Sequence, residues 1–317
     1  MCVSAMQTVA DVGEFAVIEQ IAARLGHAPA HVEVGPGDDA AIIQVDGASV
    51  ISCVDIFVQD VHFRLDWSSA YDVGRKVIAA NLADIVAMGG VPTSLLVGLA
   101  MPASTEVSWV LELADGMKAE AELLGASVVG GDIARSEHIM ISVTALGDLK
   151  SAKPILRSGA QVGDVVAVAG KIGFAQAGLM LLSRGFKSPR AIVDTHRRPE
   201  PPYELASAAK KAHSMIDVSD GLLSDLQHIA QASSVAIDVD SNSIVIPEEL
   251  AAIASAYRAD ALSWMLNGGE DHAFAATFGS VADVPSGWVI VGKVNAGSGI
   301  TVDGEPAQAS GWQHFSQ

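Results

Sequence analysis

The chain has 317 residues, 50% of them hydrophobic, so it can bury a substantial core, and its length points to two domains rather than one. Lys and Arg total 19 against 37 Asp and Glu, a formal net charge of −18 that excludes sequence-independent binding to nucleic acid or to an anionic membrane and makes any phosphate-bearing ligand depend on divalent cations. The two cysteines, Cys2 and Cys53, form no CxxC pair, no basic residue precedes Arg24, and Gly89, Gly90, Pro92 and Pro102 interrupt the apolar run 85–105, so neither a disulfide framework, a secretory leader nor a membrane span is expected and the cytoplasm is the expected location.

Helical spacing of Phe15, Ile18, Ile21, Ala22 and Leu25 predicts an amphipathic helix over 13–25. The stretch Gly35-Pro36-Gly37-Asp38-Asp39-Ala40-Ala41 follows, with adjacent carboxylates behind glycines that hold the backbone open, the composition of a metal-binding turn or of a solvated loop. Strands are predicted at 40–45 and 49–54 around an Asp46-Gly47 turn, the second ending at Asp55. A helix over 71–88 carries Asn81 and Asp84 on one face and stops at Gly89-Gly90. A strand at 94–101, a helix at 105–124, a short strand at 127–129 and a strand at 139–147 give an α/β alternation, with Gly130-Gly131-Asp132 and Arg135 read as a turn between the last two strands. The polar segment 150–163 is the expected domain connection, dividing the chain into 1–149 and 150–317.

The second half opens with a strand at 165–169 and a helix at 173–184. The irregular stretch 185–202 concentrates Lys187, Arg190, His196, Arg197 and Arg198, either as a solvated loop or as a phosphate contact. A helix at 203–212 precedes an apolar strand that delivers Asp217, and Ser219 or Asp220 stands where the cap of a helix over 222–231 belongs. After a strand at 235–239 and helices at 247–256 and 259–266, Asn267-Gly268-Gly269-Glu270-Asp271-His272 again places glycines before two carboxylates, and strands follow at 273–278 and 288–291. No repeat of fixed period is present.

Carboxylates at glycine turns, strand ends and helix ends are the ligands that two or more Mg²⁺ ions use to bridge triphosphate oxygens. An acceptor that is already an ionised phosphate then needs no dedicated base. The GxxxxGK match at 287–293 is set aside, because Val294 replaces the hydroxyl residue and the segment reads as a strand. No GxGxxG, HExxH or HRD motif occurs, and His62 in Val61-His62-Phe63 is the histidine singled out.

In order, Gly13-Glu14-Phe15, Gly37-Asp38-Asp39-Ala40-Ala41, Val61-His62-Phe63, Asn81-Leu82-Ala83-Asp84, Gly130-Gly131-Asp132, Asp217-Val218-Ser219-Asp220-Gly221-Leu222, Gly268-Gly269-Glu270-Asp271 and Gly311-Trp312-Gln313-His314-Phe315 resemble the thiamine-monophosphate kinases, nearly end to end. The acidic-turn elements are shared with the wider superfamily of aminoimidazole ribonucleotide synthetase. The resemblance implies a two-domain α/β fold: an N-terminal α/β domain that binds ATP and metal and builds a β-barrel across a homodimer, and a C-terminal layered α/β domain. It implies transfer of the ATP γ-phosphoryl group to thiamine monophosphate with Mg²⁺. Asp38, Asp39, Asp55, Asp84, Asp132, Asp217 and Asp220 would then be metal ligands, with Asp39, Asp132 and Asp220 catalytic. Asp38, Gly131, Asp132, Arg135 and Ser219 would meet the nucleotide, and His62, Glu270 and Trp312 the substrate. This sequence departs from the family pattern at Val54, at Gln59-Asp60, at Pro202 and at His272, where the family commonly has tyrosine. Another ATP-using enzyme of the superfamily, or a non-catalytic Mg-nucleotide module, are the alternative readings.

Overall fold

The computed structural model describes residues 7–12, 14–26, 32–34, 42–44, 49–150 and 152–307. It divides into two compact units, one of residues 1–85 and 90–151, the other of residues 86–89 and 152–317. Asp38, Asp39 and Trp312, expected at the site, and the expected Asp46-Gly47 turn lie outside the described residues.

The first unit contains α1 (Val9–Val12), α2 (Glu14–Leu25), β1 (Val32–Val34), β2 (Ile42–Ile43), β3 (Val50–Val58), α3 (Ala70–Ala87), β4 (Val91–Met101), α4 (Val107–Ala121), β5 (Ser127–Arg135) and β6 (Met140–Asp148). Strands β1 and β2 pair with each other, and β3-β6-β4-β5 form an open four-stranded sheet whose only parallel pair is β4–β5. Side-chain alternation gives this sheet two unlike faces. Ile51, Phe57, Leu95, Leu99, Ile141 and Val143 are buried on one, whereas Val54, Ile56, Leu96 and Met140 are exposed on the other.

Helix α3 is largely buried, with Val73, Val77, Ile78, Leu82 and Ile85 excluded from solvent and Tyr71, Asp72, Arg75 and Asp84 partly exposed. Each such side chain contributes roughly 1.5–3 kcal/mol of burial. Helix α4 crosses α3 through two glycines: a Cβ on Gly74 would lie 2.2 Å from the Leu113 carbonyl oxygen, and one on Gly116 would lie 2.2 Å from that of Tyr71. Arg75 locks the crossing with a 2.6 Å ion pair to Glu120, which is 1% exposed.

The second unit contains β7 (Val165–Ala169), α5 (Phe174–Ser183), α6 (Arg190–Arg197), α7 (Tyr203–Ala208), β8 (Ala212–Val218), α8 (Leu222–Ser233), β9 (Ala236–Val239), α9 (Glu248–Tyr257), α10 (Ala261–Asn267), β10 (Ala273–Phe278), β11 (Val289–Asn295), β12 (Gly299–Val302) and β13 (Glu305–Pro306). Its sheet runs β13-β12-β9-β11-β7-β10-β8, antiparallel except for β9–β12. All six residues of β10 are buried, five of them apolar and the sixth, Thr277, sharing a 2.9 Å hydrogen bond with the Ser214 hydroxyl. Because β10 runs opposite to both β7 and β8, the C-terminal ends of those two strands meet the start of β10. That topology brings the entries to α5 and α8 and the loop 267–272 to one end of the sheet.

Several local expectations change. Residues 190–197 form α6 rather than irregular chain: Ile192 and Val193 are buried, and Arg197 and Arg198 pair with Asp194 at 3.0 and 3.8 Å, so part of the basic segment is consumed by its own helix. The expected turn at Gly130-Gly131-Asp132 is instead the middle of β5, where a Cβ on Gly131 would lie 2.1 Å from the Val97 carbonyl oxygen of the adjacent strand. Asp55 lies inside β3, opposite Val143, not at its end. The set-aside 287–293 segment is largely β11, as its apolar run implied.

Candidate active site

In the second unit, Asp217 is the penultimate residue of β8 and is 5% exposed. The chain then turns through Ser219, Asp220 and Gly221 into α8. Neither Ser219 nor Asp220 is the N-cap; Gly221 is, at φ 118°, a left-handed backbone that favours glycine, and a Cβ there would meet the Asn267 carbonyl oxygen at 2.7 Å. The turn is tied to the helix that follows it by a side chain of that helix. Asp225 Oδ2 accepts from the backbone N–H groups of Asp220 and Gly221 at 3.0 and 3.1 Å.

The loop 267–272 is tied to the same turn by Glu270 N–H to the Ser219 carbonyl at 2.7 Å and His272 N–H to the Val218 carbonyl at 2.9 Å. Asp271 reaches the start of α5, where its two oxygens accept from Gly173 N–H at 2.6 Å and Ala175 N–H at 2.7 Å. Burial is the main influence on this carboxyl and pushes it up to about 7 against those two bonds. Asp225 is pushed up further, to about 8, first by burial and then by the charges of Asp217 and Asp220. Carboxylates thus crowd here without enough positive charge to settle them.

One ligand atom each from Asp220, Asp225 and His228 lies within 4.8 Å of the others. Two carboxylates and an imidazole gathered in this way, with Asp225 pushed up first by burial and then by the Asp217 and Asp220 charges, are a donor set that fits a divalent cation such as Mg²⁺.

The first unit gathers a second acidic group. Cys53 and Asp55 project from the covered side of β3, beside Asn81 and Asp84 of α3. The Cys53 thiol donates to the Asn81 carbonyl at 3.5 Å. Burial, the Asp84 charge and hydrogen bond, and the Asp55 charge push this thiol well above its ordinary value, which leaves it protonated and inert at neutral pH. Asn81 spends its amide on the Val77 carbonyl at 2.9 Å, so its burial has a structural explanation.

His62 accepts a hydrogen bond on Nδ1 from Val58 N–H at 3.0 Å, which puts the ring proton on Nε2. The buried Lys76 ammonium donates to the His62 carbonyl at 3.0 Å and steadies the same loop. Asp132 and Arg135 are exposed on β5.

The structure therefore brings Asp55 together with Asp84, and Asp217 with Ser219, Asp220 and Glu270. Sequence reasoning passed over Asp225, His228, Cys53 and Lys76 as site neighbours. Asp225 and His228 sit three apart after the acidic turn, a spacing that puts both on one helix face and was a usable signal.

Residues 37–149 match the family described as AIR synthase related protein, N-terminal domain, and residues 161–305 match its C-terminal domain. The thiamine-monophosphate kinase of Mycobacterium tuberculosis is 46% identical over 98% of this chain and 94% of that protein. The enzyme of Corynebacterium glutamicum is 39% identical over 97% and 95%. Among solved structures, thiamine-monophosphate kinase from Stenotrophomonas maltophilia aligns with a TM-score of 0.81 at 32% identity, covering 93% of this chain and 98% of that one. AaThiL complexed with AMPPCP and TMP aligns with a TM-score of 0.81 at 32% identity, covering 98% and 100%. Hydrogenase maturation protein HypE in complex with ATP shares the fold, with a TM-score of 0.70 at 14% identity. Through both matched domains and these full-length likenesses, the chain belongs to the thiamine-monophosphate kinase family of the AIR synthase-related proteins.

Proposed function

We propose that the protein transfers the γ-phosphoryl group of ATP directly to thiamine monophosphate, giving thiamine diphosphate. The observation that carries this reading is the carboxylate-rich end of the second unit's sheet, where Asp217 nearly closes β8, Asp220 and Asp225 follow at the entry to α8, and one ligand atom each from Asp220, Asp225 and His228 lies within 4.8 Å of the others. A charge arrangement of that kind accepts a triphosphate only together with its cations. Likeness to AaThiL complexed with AMPPCP and TMP supports the choice of nucleotide and acceptor.

In this reading Asp38, Asp39, Asp55, Asp84, Asp132, Asp217 and Asp220 hold Mg²⁺, and Asp39, Asp132 and Asp220 stand against the transferring phosphoryl group. Bound Mg²⁺ supplies charge neutralisation and alignment of the phosphate oxygens. Asp38, Gly131, Asp132, Arg135 and Ser219 contact the nucleotide, Arg135 as a charge partner for phosphate. His62 and Glu270 contact the thiamine ligand, and Trp312 offers it an aromatic face. The acceptor is an ionised phosphate whose oxygen is already a nucleophile, so no side chain has to remove a proton from it.

The domain roles follow: 1–149 for ATP, metal and dimer contacts, and 150–317 for the layered α/β domain. Exposed Val54, Ile56, Leu96 and Met140 on one face of an open sheet support a homodimer whose two sheets close a barrel. No helix among the described residues is long and apolar enough to cross a membrane, and the free thiol of Cys53 suits the reducing cytoplasm. Purified protein incubated with ATP, Mg²⁺ and thiamine monophosphate is expected to yield thiamine diphosphate by chromatography, and EDTA to abolish it. ATP binding without that product would overturn the assigned acceptor, and light scattering that finds only monomer would remove the barrel.

A further inference from the structure

Asp217 has a neighbour that nothing so far has used. His272 immediately precedes β10, which pairs with β8 so that Phe274 lies opposite Asp217 and Ala273 opposite Val218. Its backbone N–H bonds the Val218 carbonyl at 2.9 Å, and its φ of 49° is a left-handed value that His, Asn and Asp adopt more readily than most residues. The ring Nδ1 lies 3.1 Å from Asp217 Oδ2, with the two side chains 7% and 6% exposed. An ionised carboxylate only accepts, so this bond requires the ring proton on Nδ1.

Resting on the kinase reading, in which Asp217 is a metal ligand, we propose that His272 is a positioning residue for Asp217: its Nδ1–H holds one carboxylate oxygen and fixes the rotamer in which the other is presented to a divalent cation. Metal-ligating carboxylates are themselves commonly held by hydrogen bonds from neighbouring groups, and loss of such a partner lowers metal affinity by about 10–100-fold.

The test uses the full chain with Mn²⁺ alone, followed by the loss of the free Mn²⁺ signal in electron paramagnetic resonance. His272→Phe keeps a ring and removes the donor. His272→Asn keeps a donor on the atom corresponding to Nδ1 and tolerates φ 49°, whereas His272→Gln moves the donor one bond outward.

The expected result is Mn²⁺ affinity reduced about tenfold or more in the Phe and Gln variants, and within about threefold of wild type in the Asn variant. Should the Phe variant fail to fold, the Asn–Gln pair carries the comparison. In metal-free protein, ¹⁵N spectra are expected to show the His272 proton on Nδ1. Equal affinities across the series, equal losses in Asn and Gln, no Mn²⁺ binding in wild type, or a proton on Nε2 would each overturn the proposal. Failure of the kinase reading is separately visible, as absent thiamine diphosphate while the Mn²⁺ series holds.

Discussion

In the first unit, Asp55 and Asp84 are fixed by a strand and a helix, and both act on the buried thiol of Cys53, which they help to keep protonated. In the second, Asp217 stands near the end of a strand and Asp220, Asp225 and Asp271 at a turn, a helix start and a loop, and two of them, Asp225 and Asp271, accept from backbone amides. The difference separates carboxylates by task. Where both oxygens accept from the main chain, as at Asp271, the side chain staples loops together; where only one does, as at Asp225, the side chain both steadies the turn and suits a cation beside other acids. A tally of aspartates treats these as equals, but their partners do not.

Substitutions sharpen that separation. Asp217→Asn is expected to reduce turnover by at least about 100-fold while circular dichroism and unfolding midpoint stay near wild type; near-normal turnover would place Asp217 among the staples. Asp271→Ala should do the reverse, because it leaves the Gly173 and Ala175 amides buried without their acceptor. The expected cost is about 1–3 kcal/mol in urea unfolding, with a smaller fall in turnover than Asp217→Asn produces. Gly116→Ala tests the scaffold beneath the first acidic group, since its Cβ would press on the Tyr71 carbonyl; about 1–3 kcal/mol of stability should be lost.

A further effect is expected from pH. The folded Asp225 carboxyl titrates at about 8, against an ordinary 3.8, so the folded state binds more protons than the unfolded state between those values. Its contribution to stability is fully present below about 3.8 and is lost as pH rises toward 8. Urea unfolding in EDTA from pH 5 to 8.5 should therefore show declining stability that Asp225→Asn flattens. Excess Mg²⁺ should flatten it as well, and a slope unaffected by either would place the titration elsewhere.

Much of the frame was legible in the sequence because periodicity and glycine stops are local signals. The helix around Asn81 and Asp84 and the strand 165–169 needed no tertiary knowledge. The expected turn at 130–132 failed because Gly131 looks like a turn residue, yet serves close approach to Val97 in the next strand, a non-local cause. Helix α6 was hidden by its charge density, which is offset by Asp194 on the same helix. In the site, the carboxylates stood out by their glycines. Their division into staples and cation-facing groups did not, because it depends on which amides the fold brings within 3 Å.

The most direct test of the assignment of the acidic groups is anomalous diffraction from crystals grown with Mn²⁺ and a non-hydrolysable ATP analogue. The expected result is Mn²⁺ density within coordinating distance of Asp217 or Asp220 in the second unit and of Asp55 or Asp84 in the first. Nucleotide bound with no Mn²⁺ at either group would contradict it.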